Sequence, residues 1–287
     1  MTPDTQRERA RTFRDRHTRT SSGPLVLPNS WDVASTLVYE AAGFEAVGTS
    51  SAGVAAAHGA PDGEHLSRDE MLAVVERIAH GVRIPVSADV EAGYGDTPDA
   101  VAETVRRTID AGAVGVNLED GDDGSDGPLV DADRHAAAIR AAREAADDAD
   151  VRVVVNGRTD VFWRAVGDEG TRVERAVERA NAYADAGSDC LFVPGVTDPA
   201  AIEALVAGVD GPLNVLATPG APPIPDLGDL GVARVSVGSG PMRATLGFLR
   251  ALAAEIRGPG TYHRLADAVP YDDLNDLLTA SFERRDP

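Results

Sequence analysis

A chain of 287 residues with 43% hydrophobic content can bury one large α/β core or two small ones, and its lone Cys190 excludes an internal disulfide or a cysteine-based zinc cluster. The formal charge is −20, from 47 acids against 27 cations, and every cation is arginine. The absence of lysine removes Schiff-base aldolases, lysine-anchored pyridoxal phosphate and P-loop chemistry, and a charge this negative argues against nucleic acid as a partner.

No apolar run is long enough to span a membrane, and the N-terminus MTPDTQRERARTFRDRH is charged throughout, without the apolar segment of a signal peptide. A cytoplasmic protein without a membrane partner is therefore expected. The acidic, lysine-free composition reads as a halophilic adaptation to molar salt, with an ordinary acidic protein as the alternative.

In chain order, residues 4–18 read as a polar, arginine-rich helix. A unit then repeats eight times: a short apolar strand, a polar or glycine-rich turn, and an amphipathic segment. The strands are predicted at 25–27, 46–48, 84–88, 114–118, 151–155, 190–193, 213–216 and 234–237. Helical patterns include 32–42, 67–80, 98–111, 131–146 and 171–186. Gly43, Gly81, Gly112 and Gly187 stand where a left-handed C-cap belongs, and Ser67 with Glu70 fits a capping box. The proline-rich 221–225 reads as a rigid βα loop, and helices at about 241–257 and 271–283 follow the last strand. Eight even units predict a parallel sheet closed into a (β/α)₈ TIM-type barrel. It forms a single domain over 1–287, with an N-terminal helix and extra C-terminal helices. An open doubly wound sheet is the competitor, and the even spacing favours closure.

In such a barrel, chemistry gathers at the C-terminal strand ends. The third strand delivers Asp89 and Glu91; two residues apart on an extended segment, both side chains point the same way. Converging carboxylates repel unless a cation sits between them, and Mg²⁺ is the usual hard-oxygen partner. Taken alone, this spacing in so acidic a chain is equally a solvated loop. Polar groups at the other strand ends shift the balance: Asn29 and Ser30, then Thr49 to Gly53, Asn117-x-Glu119-Asp120, Asn156-x-Arg158-Thr159-Asp160 and Thr218-Pro219-Gly220.

Asp89, Glu91 and Glu119 could hold one Mg²⁺, directly or through waters. Arg158 suits a bidentate grip on a substrate carboxylate or phosphonate; the alternative is an internal salt bridge with Asp160 or Glu119. Ser50, Ser51 and Ala52 offer hydroxyls and backbone N–H groups to a carboxylate oxygen, or else simply pack a helix of small residues. Asn117 and Thr218 complete the candidate substrate-binding set. Asp62 is a further acid near the metal or a plain turn residue, and His58 and His65 beside it read as solvated. Cys190, starting a strand at the closed end of the barrel, reads as core.

These motifs resemble the isocitrate lyase/phosphoenolpyruvate mutase superfamily, and within it the branch of 2-methylisocitrate lyase and carboxyphosphonoenolpyruvate mutase. The resemblance runs in order from about residue 25 to 245 and is carried by LPNSWDVAS (27–35), TSSAGVAA (49–56), PDGE (61–64), ADVEAGYG (88–95), NLEDG (117–121) and GRTDVF (157–162). It implies a (β/α)₈ barrel, Mg²⁺ (with Mn²⁺ as a substitute) and a pyruvate-enolate intermediate. It also implies homo-oligomers, dimers or tetramers, in which the C-terminal helices at about 241–287 swap between subunits. It places Asp89, Glu91 and Glu119 on the metal-binding acids, Asp62 on an acid near the metal, Ser50, Ser51 and Ala52 on a carboxylate-binding turn, and Arg158 on the substrate-binding arginine.

The departures are equally specific. Glu91 stands where the family carries Asp. The segment 121–129, GDDGSDGPL, is shorter than the gating loop of the lyases and lacks its Lys-Lys-Cys-Gly-His; the Lys and Asn of the mutases are missing as well. Asn117 replaces a His, and Pro194 a Glu. Metal and 2-oxo-acid binding carry over, whereas the lyase proton donor does not. The expected activity is that of a Mg²⁺-dependent, methylisocitrate lyase-like enzyme cleaving or forming a C–C bond in a small 2-oxo or 2-hydroxy di- or tricarboxylic acid. It ranks above mutase-like or phosphonopyruvate hydrolase-like C–P chemistry and above a non-catalytic dicarboxylate-binding barrel.

Overall fold

Pro28 decides how the sheet closes. The computed structural model describes residues 1–17, 23–121 and 127–285. Nine parallel strands occupy one sheet: β1 (Leu25–Leu27), β2 (Asn29–Ser30), β3 (Val47–Thr49), β4 (Val86–Asp89), β5 (Gly115–Glu119), β6 (Val154–Arg158), β7 (Cys190–Val193), β8 (Leu213–Leu216) and β9 (Arg234–Ser236). Their order is β1-β9-β8-β7-β6-β5-β4-β3-β2. β1 and β2 are two halves of one strand, separated by a proline that has no N–H to give to a ladder. The first half pairs with β9 (Leu25 opposite Arg234), the second with β3 (Asn29 opposite Gly48), so the broken strand completes the ring. The predicted eight-stranded TIM-type barrel is the fold observed.

Asn29 fastens this joint. Its Oδ1 accepts from Val237 N at 2.9 Å and Gly238 N at 2.8 Å, while Nδ2 donates to Thr49 O at 2.8 Å.

Strand alternation sorts the side chains into two layers. Ala88, Val90, Val116, Leu118, Val155, Val193 and Val215 join the apolar core with helix residues such as Val105, Ile109 and Ile139. The alternate positions carry Ser87, Asn117, Asn156, Asn214, Arg234 and Ser236, all buried. A barrel interior is usually filled by branched apolar side chains, and this one is polar instead. The N-terminal helix Pro3–His17 covers the N-terminal strand ends: Gln6 donates to Ile109 O and Ala113 O, Arg14 to Arg152 O, and Phe13 and His17 are buried.

Three sequence expectations need correction. Strand β6 runs three residues later than predicted, because its ladder with β5 begins only at Gly115 opposite Val154. β4 and β5 are also shifted forward, so Asp89, Glu119 and Arg158 are terminal strand residues rather than loop residues. Two helices, Ser51–Ala57 and Ile224–Asp229, occupy stretches read as loops. Finally, Gly43, Gly112 and Gly187 are left-handed as expected, but Gly81 is not. A Cβ on Gly81 would meet Ser281 Oγ at 2.9 Å, so its role is to let the last helix approach.

That helix, Tyr271–Arg285, packs on Val33–Ala41 and Arg68–Gly81 of its own barrel, and Arg284 Nη2 donates to Gly81 O at 2.7 Å. Helix Gly240–Arg257 leaves Leu246, Phe248, Leu249 and Ile256 exposed. Among the described residues, no helix is long and apolar enough to cross a membrane.

Candidate active site

At the C-terminal strand ends a cavity of about 100 Å³ collects Ser50, Ser51, Ala52, Asp62, Asp89, Asn117 and Arg158. Asp89 and Arg158 end strands of the same parallel ring, Asn117 lies within β5, the turn from Ser50 follows β3, and Asp62 lies in the loop after helix Ser51–Ala57. Ser50 caps the helix Ser51–Ala57, accepting from Gly53 N at 3.2 Å. The small-residue turn thus opens a helix, as its alternative reading had it, and also lines the cavity. Ser51 N donates to Asp89 Oδ2 at 2.9 Å, and Asn117 Nδ2 to Asp89 Oδ1 at 2.9 Å. Asn156 in turn donates to Asn117 Oδ1, so two asparagines relay hydrogen bonds toward one carboxylate. Ser51 Oγ reaches Asp62 Oδ1 at 3.3 Å. His58 and His65 are exposed, as expected.

A neighbouring cavity of about 310 Å³ takes Glu91 and Glu119, with Glu64, Arg134, His135 and Arg164. The extended geometry expected through Glu91 fails here. Strand β4 stops at Asp89, and Glu91 adopts φ 53°, left-handed and sterically costly for a residue with a Cβ. Its carboxylate is held by Glu64 N at 2.6 Å and Tyr94 OH at 3.2 Å, and Glu64 and Tyr94 also have positive φ. Asp89 and Glu91 thus line different cavities. Thr218, expected to bind substrate, lines neither cavity; its carbonyl accepts from Ala221 N in the turn after β8.

Arg158 makes the internal ion pairs foreseen as its alternative, while still lining the first cavity. Nη1 lies 2.5 Å from Glu119 Oε2, and Nε and Nη2 contact the Asp160 oxygens at 2.6 and 3.0 Å. Burial alone would lower the guanidinium, but Glu119 and Asp160 more than offset it, so it stays above its ordinary value and charged. Asp160 is positioned from behind: its N–H donates to Asp120 Oδ1, and buried Asp120 also accepts from Tyr183 OH at 2.6 Å and Arg179 Nη1 at 3.0 Å.

The acids disturb one another. Burial, then Asp89, raises Asp62. Burial, then Asp89, pushes Glu91 up to about 7. Burial pushes Glu119 well above the carboxylate range, and Asp160, Asp89 and Glu91 add to it against the pull of Arg158. Among the described residues, no three His, Cys, Asp or Glu side chains stand in a ready ligand arrangement. The chemistry of the set nonetheless fits a hard divalent cation: all donors are carboxylate oxygens, and they repel each other for want of positive charge.

Residues 13–257 match the family described as phosphoenolpyruvate phosphomutase, which covers most of the chain. The chain belongs to this enzyme family. Among relatives of this phosphomutase-family chain, 2-methylisocitrate lyase of Escherichia coli K12 is 31% identical over 274 residues, covering 89% of each protein. A Burkholderia cenocepacia J2315 protein, whose crystal structure carries the provisional description lyase/mutase, is 38% identical. It superposes with a TM-score of 0.89 over 95% of this chain and 96% of its own. A phosphonopyruvate hydrolase solved with oxalate and Mg²⁺ is 27% identical, with a TM-score of 0.81 and 96% coverage of both chains. The superfamily resemblance read from the motifs holds.

Sequence reasoning passed over Arg234, which lines the first cavity from β9. The available signal was a charged residue at one of the two alternating polar positions of a barrel strand. It also missed Tyr94 and Glu64, whose roles depend on left-handed backbone that no pattern of residue types announces. The segment 122–126, part of the loop noted for lacking a cysteine, lies outside the described residues.

Proposed function

We propose that the chain is a Mg²⁺-dependent enzyme that cleaves or forms a C–C bond in a small 2-oxo or 2-hydroxy di- or tricarboxylic acid through a pyruvate-enolate-type intermediate. The observation that carries this reading is the convergence of Arg158, Asp62, Asp89 and the turn of Ser50, Ser51 and Ala52 on one small cavity at the C-terminal strand ends. Arg158, already oriented by Glu119 and Asp160, grips a substrate carboxylate, with Ser50, Ser51, Ala52 and Asn117 completing its hydrogen bonds. Asp62, raised by burial and by Asp89, is suited to hold and release a proton beside the reacting carbons. Asp89, Glu91 and Glu119 would hold Mg²⁺ or Mn²⁺, which when bound supplies electrophilic stabilisation of developing enolate charge. The 27%-identical phosphonopyruvate hydrolase, bound to oxalate and Mg²⁺, supports both the metal and a planar 2-oxo-acid ligand.

C–P bond chemistry is the second reading, supported by the match of residues 13–257 to the phosphoenolpyruvate phosphomutase family. The exposed Leu246, Phe248, Leu249 and Ile256 support homo-oligomers, dimers or tetramers, formed through the C-terminal helices. Exchange of the last helix between subunits would reproduce its contacts with Gly81 on a partner barrel.

Calorimetry with oxalate, a planar mimic of pyruvate enolate, tests the metal reading. Wild type should bind oxalate with Mg²⁺ and lose that binding in EDTA, and Asp89→Ala should lose it while staying folded. Equal oxalate affinity with EDTA present overturns it. Assaying 2-oxo-acid release from methylisocitrate, isocitrate, oxaloacetate, dimethylmalate and phosphonopyruvate then separates C–C from C–P chemistry.

A further inference from the structure

Arg234 is only 3% exposed, and its Nε and Nη1 have no hydrogen-bond partner. No acid of the described residues lies within ion-pair distance of it. Its guanidinium stands 5.9 Å from the centre of the Phe13 ring. Burial lowers its pKa, and among the titratable groups around it Asp89 supports its charge only from beyond ion-pair distance. Burial, with Arg234 itself nearby, lowers His17 to about 3 and keeps it neutral; burial pushes the Cys190 thiol up to about 12. Directly across the ladder from Arg234, Asn214 accepts from Ser236 Oγ at 3.3 Å through Oδ1, which leaves buried Nδ2 without an acceptor.

Three donor atoms on two neighbouring strands therefore lack acceptors, and one group carries a full charge. An unpaired ion in such surroundings is strongly unfavourable, and a water molecule would satisfy the hydrogen bonds but not the charge. Arg234 and Ser236 line the same cavity as Arg158 and Asp89, so a solute entering from the strand ends reaches them.

We infer that the floor of this cavity is an anion site, in which Arg234 Nε and Nη1 with Asn214 Nδ2 bind a carboxylate-sized monoanion. Its source is either the second carboxylate of a diacid substrate or a free halide. A cavity of about 100 Å³ has room for either. The first source deepens the function proposed above and rests on it: the substrate would be a diacid with one carboxylate at Arg158 and the other reaching down to Arg234. The second source is independent of that reading.

Crystals of the wild-type protein grown in sodium bromide with EDTA provide the test, since bromide needs neither metal nor turnover. A bromine anomalous peak on the Arg234 guanidinium, absent in Arg234→Met, is the expected result. Bromide should also raise the wild-type melting temperature above that in a bulky organic sulfonate at equal ionic strength, with no such difference in Arg234→Met or Arg234→Gln.

Calorimetry in Mg²⁺ separates the two sources. If the anion is a substrate carboxylate, succinate displaces the bromide, and Arg234→Met loses about tenfold or more in succinate affinity while binding oxalate like wild type. Retained bromide with unchanged succinate affinity assigns the site to free halide. A wild-type crystal with only water at Arg234, together with unchanged succinate affinity in both variants, overturns the inference. Failure of the wild type to bind oxalate in Mg²⁺, with the bromide peak present, would instead overturn the function proposed above and leave the anion site standing.

Discussion

Arg158 and Arg234 line one cavity in opposite surroundings. Arg158, at the end of β6, has Glu119 and Asp160 within 3.0 Å and the Phe192 ring at 5.7 Å. Arg234, at the start of β9, has the Phe13 ring, a neutral imidazole, a neutral thiol and amides, with Asp89 acting on it only from beyond ion-pair distance. The barrel thus surrounds one cation with acids and not the other: β4 to β6 bring Asp89, Glu119 and Arg158 to the mouth, and β9 brings Arg234 to the floor. A guanidinium whose carboxylates are built in is a rigid grip already paired. One without them is stable in a low-dielectric interior only with an anion from elsewhere.

The largest effect should follow from removing the paired arginine. Arg158→Ala takes the grip from the substrate and leaves Glu119 without its cation, while Asp160 keeps only Arg164 at 3.5 Å. Turnover of whichever substrate proves active should fall by about a hundredfold or more, with a stability loss on the order of 3–5 kcal/mol. Arg158→Lys, which keeps the charge but not the planar fork, should lie between Ala and wild type. Steady-state assays with urea unfolding of each variant check this. If folded Arg158→Ala retains turnover within tenfold, Arg158 is only a brace between β5 and β6, and the contrast with Arg234 loses its functional half.

Acidity probes the floor. His17, beside Arg234, is held neutral with its pKa lowered to about 3, whereas the unfolded chain titrates near 6.5. Between those values the unfolded state binds the extra proton. Stability is therefore complete above about pH 6.5 and is lost as pH falls toward 3. This one group should cost roughly 2 kcal/mol by pH 5, and His17→Gln should flatten that part of the profile. Urea midpoints between pH 7.5 and 5 provide the measurement, and identical slopes for variant and wild type would mean that the floor tolerates a second positive charge.

The smallest effect should come from Cys190→Ser. Cys190 is buried at the start of β7, lines neither cavity, and titrates far above neutrality. Activity should stay within about twofold of wild type, with about 1–3 kcal/mol of stability lost to the buried hydroxyl. Abolished turnover in a folded variant would return a catalytic thiol to consideration.

The sequence made the barrel legible because its signals are local and repeated: apolar strand, polar turn, amphipathic helix, glycine. It also pointed to most of the rim, since Asp89, Glu119 and Arg158 end their strands and the motif segments order them. What stayed hidden depends on three-dimensional placement. That Glu91 lines a different cavity from Asp89, though their carboxylates still act on each other, goes with a left-handed residue that the two-residue spacing does not reveal. Thr218 sits at the end of the right strand, yet its turn keeps it off the cavity. Arg234 reads as the edge of an apolar strand until the ring brings it beneath Asp89.

The joint at Pro28 also orders the birth of the protein. Asn29 Oδ1 accepts from amides 208 and 209 residues further along the chain, and β1 pairs only with β9. On the ribosome, the first strand therefore emerges long before its partner exists. The nascent sheet carries two open edges, at β1 and at the newest strand, until residue 238 has been made. Such edges are templates for mispairing, and contacts this distant in sequence are slow to form. Ring closure, and with it the cavity between Arg158 and Arg234, waits until the last strand has emerged.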